Sequence, residues 1–239
     1  ANTTGNYNVA SGSQSLKLNT TGGHNVASGY RSLYLNTTGN YNVASGRESL
    51  RSNTTGGHNV ASGYRSLYSN TTGDFNVASG YVSLYGNTTG SNNVAIGYRA
   101  GRYNANGSTA NQTSGTSVYL GRDTKALADG GANEIVIGYN AIGNGSNTVT
   151  LGNTSVTKTI LQGNVGIGTT NPTEKLHVEG NIELINGGHI GSLDGSYWQR
   201  IRFEDATPST TNAFNFETRN GSGSFIDHIL IHNDVHFVI

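Results

Sequence analysis

Few residues have types and spacing that suggest chemistry, and several of them lie toward the C-terminal end. His228, His232 and His236 recur every four residues. On a helix, that spacing would gather imidazoles for a transition metal, and His rings on a threefold axis do the same. The surrounding run Phe225-Ile226-Asp227-His228-Ile229-Leu230-Ile231-His232 reads as a strand and holds no His-x-His pair. The histidines are therefore read as structural, with no metal. Glu204, Asp205, Glu217 and Asp227 are the carboxylates from which a glycosidase would draw its pair. Acids on strands and turns are more often solvated, and no Gly-x-Ser-x-Gly elbow accompanies them. Gly166-x-Gly168 lacks the following helix of a dinucleotide fingerprint. No catalytic residue, no cofactor and no enzymatic activity are expected.

Recognition chemistry is better represented. Tyr197 and Trp198, the latter the only Trp, are the candidate receptor-binding residues. Tyr7, His24, Tyr41, His58 and Phe75 recur at a fixed step and form a candidate aromatic stripe. Tyr30, Tyr34, Tyr64, Tyr68, Tyr81 and Tyr85 form further candidates. With Arg31 and Arg65 nearby, such stripes can stack on sugars or pack between chains.

The element that positions the stripes is a repeat. Asn2, Asn19, Asn36, Asn53, Asn70 and Asn87 each open an Asn-Thr-Thr-Gly segment, 17 residues apart. The unit reads N-T-T-G-x-x-N-V-A-S-G-x-x-S-L-x-x. No 3.6-residue apolar period is present. The unit suits one coil of a β-solenoid: a strand at N-V-A-S, a Gly turn, a second strand at S-L-x, and an N-T-T-G turn. Coils then stack ~4.8 Å apart. The repeated Gly supply positive φ or close coil packing, and the Asn form ladders along the rod. The Asn-Thr-Thr units match glycosylation sequons, but turn chemistry explains them. Paired Thr also suggests an ice-binding surface, yet Gly follows at once in a turn instead of a flat strand.

Composition agrees with a repeat and excludes much else. The 239 residues include 35 Gly, 2 Pro and no Cys or Met, with 33% hydrophobic and 12% charged residues. A typical soluble domain is ~45–50% apolar and ~25% charged. One large compact core is excluded, as are collagen, disulfide staples and a membrane-spanning run. Val and Leu alone give each coil little to bury against the entropy of ordering 17 residues. The missing burial is expected from neighbouring chains, and three chains around one axis close economically. Residues 1–103 carry seven bases and two acids, and the remainder seven bases and twelve acids. The basic excess is too dilute for a nucleic-acid tract, so no nucleic acid and no membrane insertion are expected.

Asn93-Val94-Ala95-Ile96-Gly97, followed by Ala100-Gly101, resembles the N-S-V-A-I-G repeat of trimeric autotransporter adhesin heads. The resemblance implies a left-handed parallel β-roll, three of which pack around a threefold axis. Five copies depart from it, with Ser11, Ser28, Ser45, Ser62 and Ser79 where the family has Ile, which thins the expected core. Residues 103–117 read as an inserted loop. Core strands are expected again at 117–121, 134–138 and 147–152, and their higher apolar content predicts the stiffest coils. The run from Gly163 to Ile182, N-V-G-I-G-T-T-N-P-T-E-K-L-H-V-E-G-N-I after the Gly, resembles a segment of bacteriophage tail fibres. There it often precedes a distal tip or an intramolecular chaperone domain. The expectation is that such a domain was removed or that this fibre does without one. The chain opens mid-repeat and is expected to be a fragment or mature piece.

Residues 183–239 hold five of the six Phe and alternate at Ile201-Arg202-Phe203-Glu204 and Phe214-Asn215-Phe216-Glu217, as strands do. Asn220-Gly221 signals a hairpin. The expected fold is all-β: a trimeric left-handed parallel β-solenoid of 17-residue coils followed by a small antiparallel tip. Its parts are a repetitive solenoid over 1–102, a looser solenoid with a loop and neck over 103–182, and a tip over 183–239. The expected function is host attachment by a phage tail fibre, as a homotrimer on the virion. The ligand would be a bacterial surface polysaccharide or outer-membrane protein. The alternatives are a bacterial trimeric surface adhesin head, a glycan-degrading tailspike and an ice-binding protein.

Overall fold

The computed structural model describes residues 3–180 and 182, and the backbone of the strands His189–Asp194, Tyr197–Glu204, Ala213–Arg219 and Phe225–Ile231. Every regular element among the described residues is a β-strand, so the fold is all-β. No helix there is long and apolar enough to cross a membrane. The chain forms two compact units, Ala1–Thr159 and Ile160–Ile239.

The first unit is a parallel β-solenoid. Its strands are β1 (Val9–Ser11), β2 (Val26–Ser28), β3 (Val43–Ser45), β4 (Val60–Ser62), β5 (Val77–Ser79), β6 (Val94–Ile96), β7 (Val118–Leu120), β8 (Glu134–Ile137) and β9 (Thr148–Leu151). They hydrogen-bond in chain order as one nine-stranded sheet. From β1 to β6 each residue pairs with its counterpart 17 positions on, Val9 with Val26 through Val77 with Val94. The loop then lengthens one coil, so that Val94 pairs with Val118.

Two expectations change inside the coil. The sequence counts Val with Leu as core, but a strand sends alternate side chains to opposite faces. Ala27, Ala44, Ala61 and Ala78 point inward and are fully buried, whereas Val26, Val43 and Val60 are 38–40% exposed. Ser28, Ser45 and Ser62 share the outward face, so Ser in place of Ile thins the outer surface and leaves the core unchanged. The core is a narrow column of Ala and Leu.

The Ser-Leu-x segment, expected as a second strand, is a turn. Arg31 and Leu33 take φ of 53° and 50°, and their counterparts in other coils do likewise. Each such left-handed residue costs roughly 1 kcal/mol. The reversal brings Leu33 to full burial, and its amide still donates to Ser49 O in the next coil at 3.1 Å.

Asn fills the space that larger apolar residues would occupy. Asn36 Nδ2 donates to Asn19 Oδ1 at 2.8 Å and to Gly39 O at 3.0 Å, and Asn53, Asn70 and Asn87 continue the row. In a second row Asn42 donates to Asn25 Oδ1 from both its backbone N, at 2.9 Å, and its Nδ2, at 3.1 Å. A primary amide both donates and accepts, so identical copies at one-coil spacing satisfy one another. A buried polar group left unpaired costs about 1–3 kcal/mol, which ties the Asn spacing to the coil length.

The two repeated Gly positions serve different needs. Gly29 has φ +132°, and a Cβ there would sit 2.6 Å from Gly46 O. At Gly39 the constraint is contact alone, since a Cβ would lie 2.4 Å from both Gly56 O and Asn36 Oδ1.

In the second unit β10 (Val165–Ile167) and β11 (Leu176–Val178) pair in parallel. A turn and a strand follow Gly166-x-Gly168 instead of a helix, which excludes a dinucleotide fingerprint there. The strands β12 (His189–Asp194), β13 (Tyr197–Glu204), β14 (Ala213–Arg219) and β15 (Phe225–Ile231) form an antiparallel sheet in chain order. The strands read at 201–204 and 214–217 fall within β13 and β14, and the one read from Phe225 to His232 matches β15 as far as Ile231, with His232 outside the described residues. The Asn220-Gly221 hairpin lies outside the described residues, although Arg219 pairs with Phe225 across the strands it would join.

Candidate functional site

The predicted stripe is a continuous stack. The rings of Tyr7, His24, Tyr41, His58 and Phe75 follow one another with centroids 4.7–4.8 Å apart and interplanar angles of 7–21°. All five residues have φ of 57–59°. The left-handed backbone turns each side chain out of the coil, and the coil repeat sets the ring spacing. The stack is exposed, with Tyr7 at 79%, Tyr41 at 52% and Phe75 at 55%.

The turn after each strand builds a richer face of three adjoining columns. The first runs Tyr30, Arg47, Tyr64, Tyr81, Tyr98, Arg122, Tyr139. Tyr64, Tyr81 and Tyr98 stack at 5.0 and 5.3 Å. The Arg47 guanidinium lies 5.6 and 5.9 Å from the Tyr30 and Tyr64 rings, and Arg122 lies 5.3 and 5.7 Å from those of Tyr98 and Tyr139. The second column runs Gln14, Arg31, Glu48, Arg65, Val82, Arg99, with Arg31 Nε donating to Gln14 Oε1 at 2.6 Å. The third runs Lys17, Tyr34, Arg51, Tyr68, Tyr85, Arg102. In it Arg51 Nη1 donates to the Tyr68 hydroxyl at 2.9 Å, and Arg102 lies 4.9 Å from the Tyr85 ring. The middle column bridges the outer two: Arg65 lies 5.0 Å from Tyr64 and 5.3 Å from Tyr68.

These columns gather all seven bases of residues 1–103. The charge is dilute along the chain and concentrated on this face. Glu48 is buried and accepts from Arg65 Nε at 2.7 Å, with Arg51 Nε 4.0 Å away. That hydrogen bond is the main cause holding the Arg65 guanidinium above its usual pKa. Reading the sequence at single aromatics missed Arg47, Arg51, Tyr98, Arg99, Arg102 and Arg122. The signal was present at positions 17, 34, 51, 68, 85 and 102, each Lys, Tyr or Arg.

Other sequence candidates separate. Tyr197 and Trp198 open β13, opposite Asp194 and Leu193, and their side chains lie outside the described residues. His228 stands on β15, which is a strand as expected, while His232 and His236 lie outside the described residues. Glu217 on β14 pairs with Arg200 on one side and Asp227 on the other, whereas Glu204 pairs with Ala213. Asp205 lies outside the described residues. The Asn of each described Asn-Thr-Thr unit is buried and donates Nδ2 inward, so the folded coil withholds it from glycosylation. The first Thr of each pair donates its hydroxyl to the next coil, as Thr20 Oγ1 does to Thr37 O at 2.8 Å, and the pair sits in a turn. Near the solenoid's last coils a hollow of about 570 Å³, with Leu127, Ile142, Thr150 and Leu151 in its wall, is lined by no titratable side chain.

Searches of protein-family models, curated proteins and solved structures give no match to this chain.

Proposed function

We propose that the chain is part of a homotrimeric host-attachment fibre, carried extracellularly on a virion as a tail fibre. The solenoid serves as its stiff shaft. The observation that carries the reading is the outward face of the nine-stranded sheet. Val9, Val26, Val43, Val60, Ile96, Val149 and Leu151 are 38–62% exposed along it, the Val residues in one register row across the strands and Ile96 and Leu151 in a second. At ~4.8 Å per strand the band is about 40 Å long. Soluble monomers rarely leave so continuous a patch in water. Three copies closing around an axis would bury it, and each fully buried Val would contribute roughly 1.5–2 kcal/mol. The resemblance to adhesin-head and tail-fibre segments supports the same arrangement.

In this reading the receptor is a bacterial surface polysaccharide or outer-membrane protein, and three copies of a weak site gain avidity. Tyr197 and Trp198 are the receptor residues proposed for the C-terminal unit. Sedimentation of the full chain is expected to give a trimer, and the pair Val43→Asp and Val60→Asp to abolish it. A stable folded monomer of the unaltered chain sinks the reading. Binding of Trp198→Ala to whole bacterial cells tests the receptor residues, and unchanged binding removes them from the site.

A further inference from the structure

We propose that the Tyr/Arg face of the solenoid is a binding track for a linear acidic polysaccharide lying along the coil axis. The inference takes the ligand's cell-surface source from the attachment reading. Its preference for a carboxylated polymer rests on the face alone.

The cations are distributed along the axis. Lys17 belongs to the first coil, Arg31 to the second, Arg47 and Arg51 to the third, Arg65 to the fourth, Arg99 and Arg102 to the sixth, and Arg122 to the seventh. Arg51 and Arg65 face Glu48, and Arg122 faces Asp123. That is about one cation per ~4.8 Å step, with the fifth coil presenting Tyr81, Val82 and Tyr85 instead. Duplex DNA carries a charge every ~1.7 Å, about three times denser than this track. A polysaccharide with one carboxylate every sugar or two is the closer match.

Ring geometry points the same way. Readers of single-stranded nucleic acid offer open aromatic faces on which bases stack. Here the faces are taken: Tyr64, Tyr81 and Tyr98 cover one another, and Arg47 and Arg122 lie at the two ends of that stack in the same column. What remains is hydroxyl-bearing edges and guanidinium groups, which suit sugar hydroxyls and carboxylates. Stacking also fixes the guanidiniums beforehand. Arg31, Arg51, Arg65, Arg99 and Arg102 are half-buried, and each lies within 4.5–5.7 Å of a Tyr ring centroid. Less side-chain freedom is then lost when the polymer binds.

The test is calorimetry of the full chain against polygalacturonate, neutral dextran and an oligothymidylate of equal charge. Polygalacturonate is expected to bind, with affinity falling as salt rises. Arg47→Gln with Arg99→Gln is expected to weaken it about tenfold or more, while the thermal midpoint and oligomeric state stay unchanged. Arg47→Lys, which keeps charge but loses the planar stack, is expected to fall between. Equal binding of dextran, tighter binding of oligothymidylate, or no loss in the Arg variants with fold intact overturns the proposal. A whole-cell assay separates the two readings. Polymer binding without cell binding leaves the track standing and removes the attachment role, and cell binding without polymer binding does the reverse.

Discussion

The first six coils and the coils of β7 to β9 solve one packing problem in two ways. From β2 to β6 the strand buries Ala, the turn supplies Leu in the first five coils, and two Asn rows fill the rest. At β7 the inward residue becomes Tyr119, which pairs in register with Ala95, and the preceding turn carries Gly101 in the Leu position. A Cβ on Gly101 would lie 2.7 Å from Tyr119 Cδ2 and 3.0 Å from Leu84 Cδ2. The ring therefore fills the space that Leu vacates. The second Asn row ends in the same stretch: Ser117 makes its last link by donating its backbone N to Asn93 Oδ1 at 3.1 Å, and the Glu134 backbone N donates to Ser117 Oγ one coil later. A strictly repeated coil needs small residues and amides, because each copy must fit the next. Once the repeat is broken, ordinary size complementarity takes over.

The largest expected effect probes that exchange. Tyr119→Ala should cost about 3–5 kcal/mol, and Gly101→Leu alone about 1–3 kcal/mol by overpacking. The double substitution recreates the regular coil, and Gly101 already has φ +62°, near the +44° of Leu84. Urea denaturation should show it recovering at least about 2 kcal/mol of the summed loss. Additive losses would mean that the two positions do not share one space.

Next are the Asn rows. Asn53 links Asn36, Asn70 and Gly56 O in full burial. Asn53→Ala should lose about 2–3 kcal/mol, since its partners stay buried and unpaired. Asn133 also donates to an Asn, Asn147 Oδ1 at 3.1 Å, but is exposed. Asn133→Ala should cost less, about 0.5–1 kcal/mol, most of it from the left-handed backbone at φ 56° that Asn tolerates better than Ala. Equal denaturation midpoints for the two variants would sink burial as the reason.

Ion pairs repeat the contrast on a smaller scale. The Glu48 side chain is 7% exposed beneath Arg65. Arg65→Gln should cost about 1–2 kcal/mol by leaving the carboxylate buried with a weaker partner. Arg122 is 63% exposed beside Asp123, and Arg122→Gln should change stability by about 0–0.5 kcal/mol. Thermal melts of the two variants side by side measure the difference.

The smallest effect belongs to Asp129, in the turn between β7 and β8, where it holds the loop that lengthens the preceding coil. Burial raises its pKa, but the amides of Thr113 and Gln112, both donating to Oδ1 at 2.8 Å, outweigh that and hold it below the usual carboxylate value. A folded pKa below the unfolded one stabilises the fold above pH ~4. That contribution falls away as pH drops through the depressed value. The stability gap between the unaltered chain and Asp129→Ala should close over that acid range and stay flat from pH 5 to 7.

The period, the strand at each Val-Ala-Ser, the two kinds of Gly and the Asn ladders were legible because a 17-residue step admits few other coils. The all-β antiparallel sheet was legible from alternation at Ile201 to Glu204 and Phe214 to Glu217, while β12, interrupted by Gly191, gave no such signal. The direction of Val was not legible. A three-residue strand alternates either way, and only the closure of the coil puts Ala27 inside and Val26 outside. Nor was the turn at Ser-Leu legible, since positive φ at Arg31 and Leu33 runs against local preference and is imposed by neighbouring coils. By itself the sequence determined the repeat, and with it which residues recur at each height. Tertiary structure alone decided which of them meet. Bases spread over a hundred residues became one face because stacking coils turns a separation of 17 along the chain into a few ångströms across it.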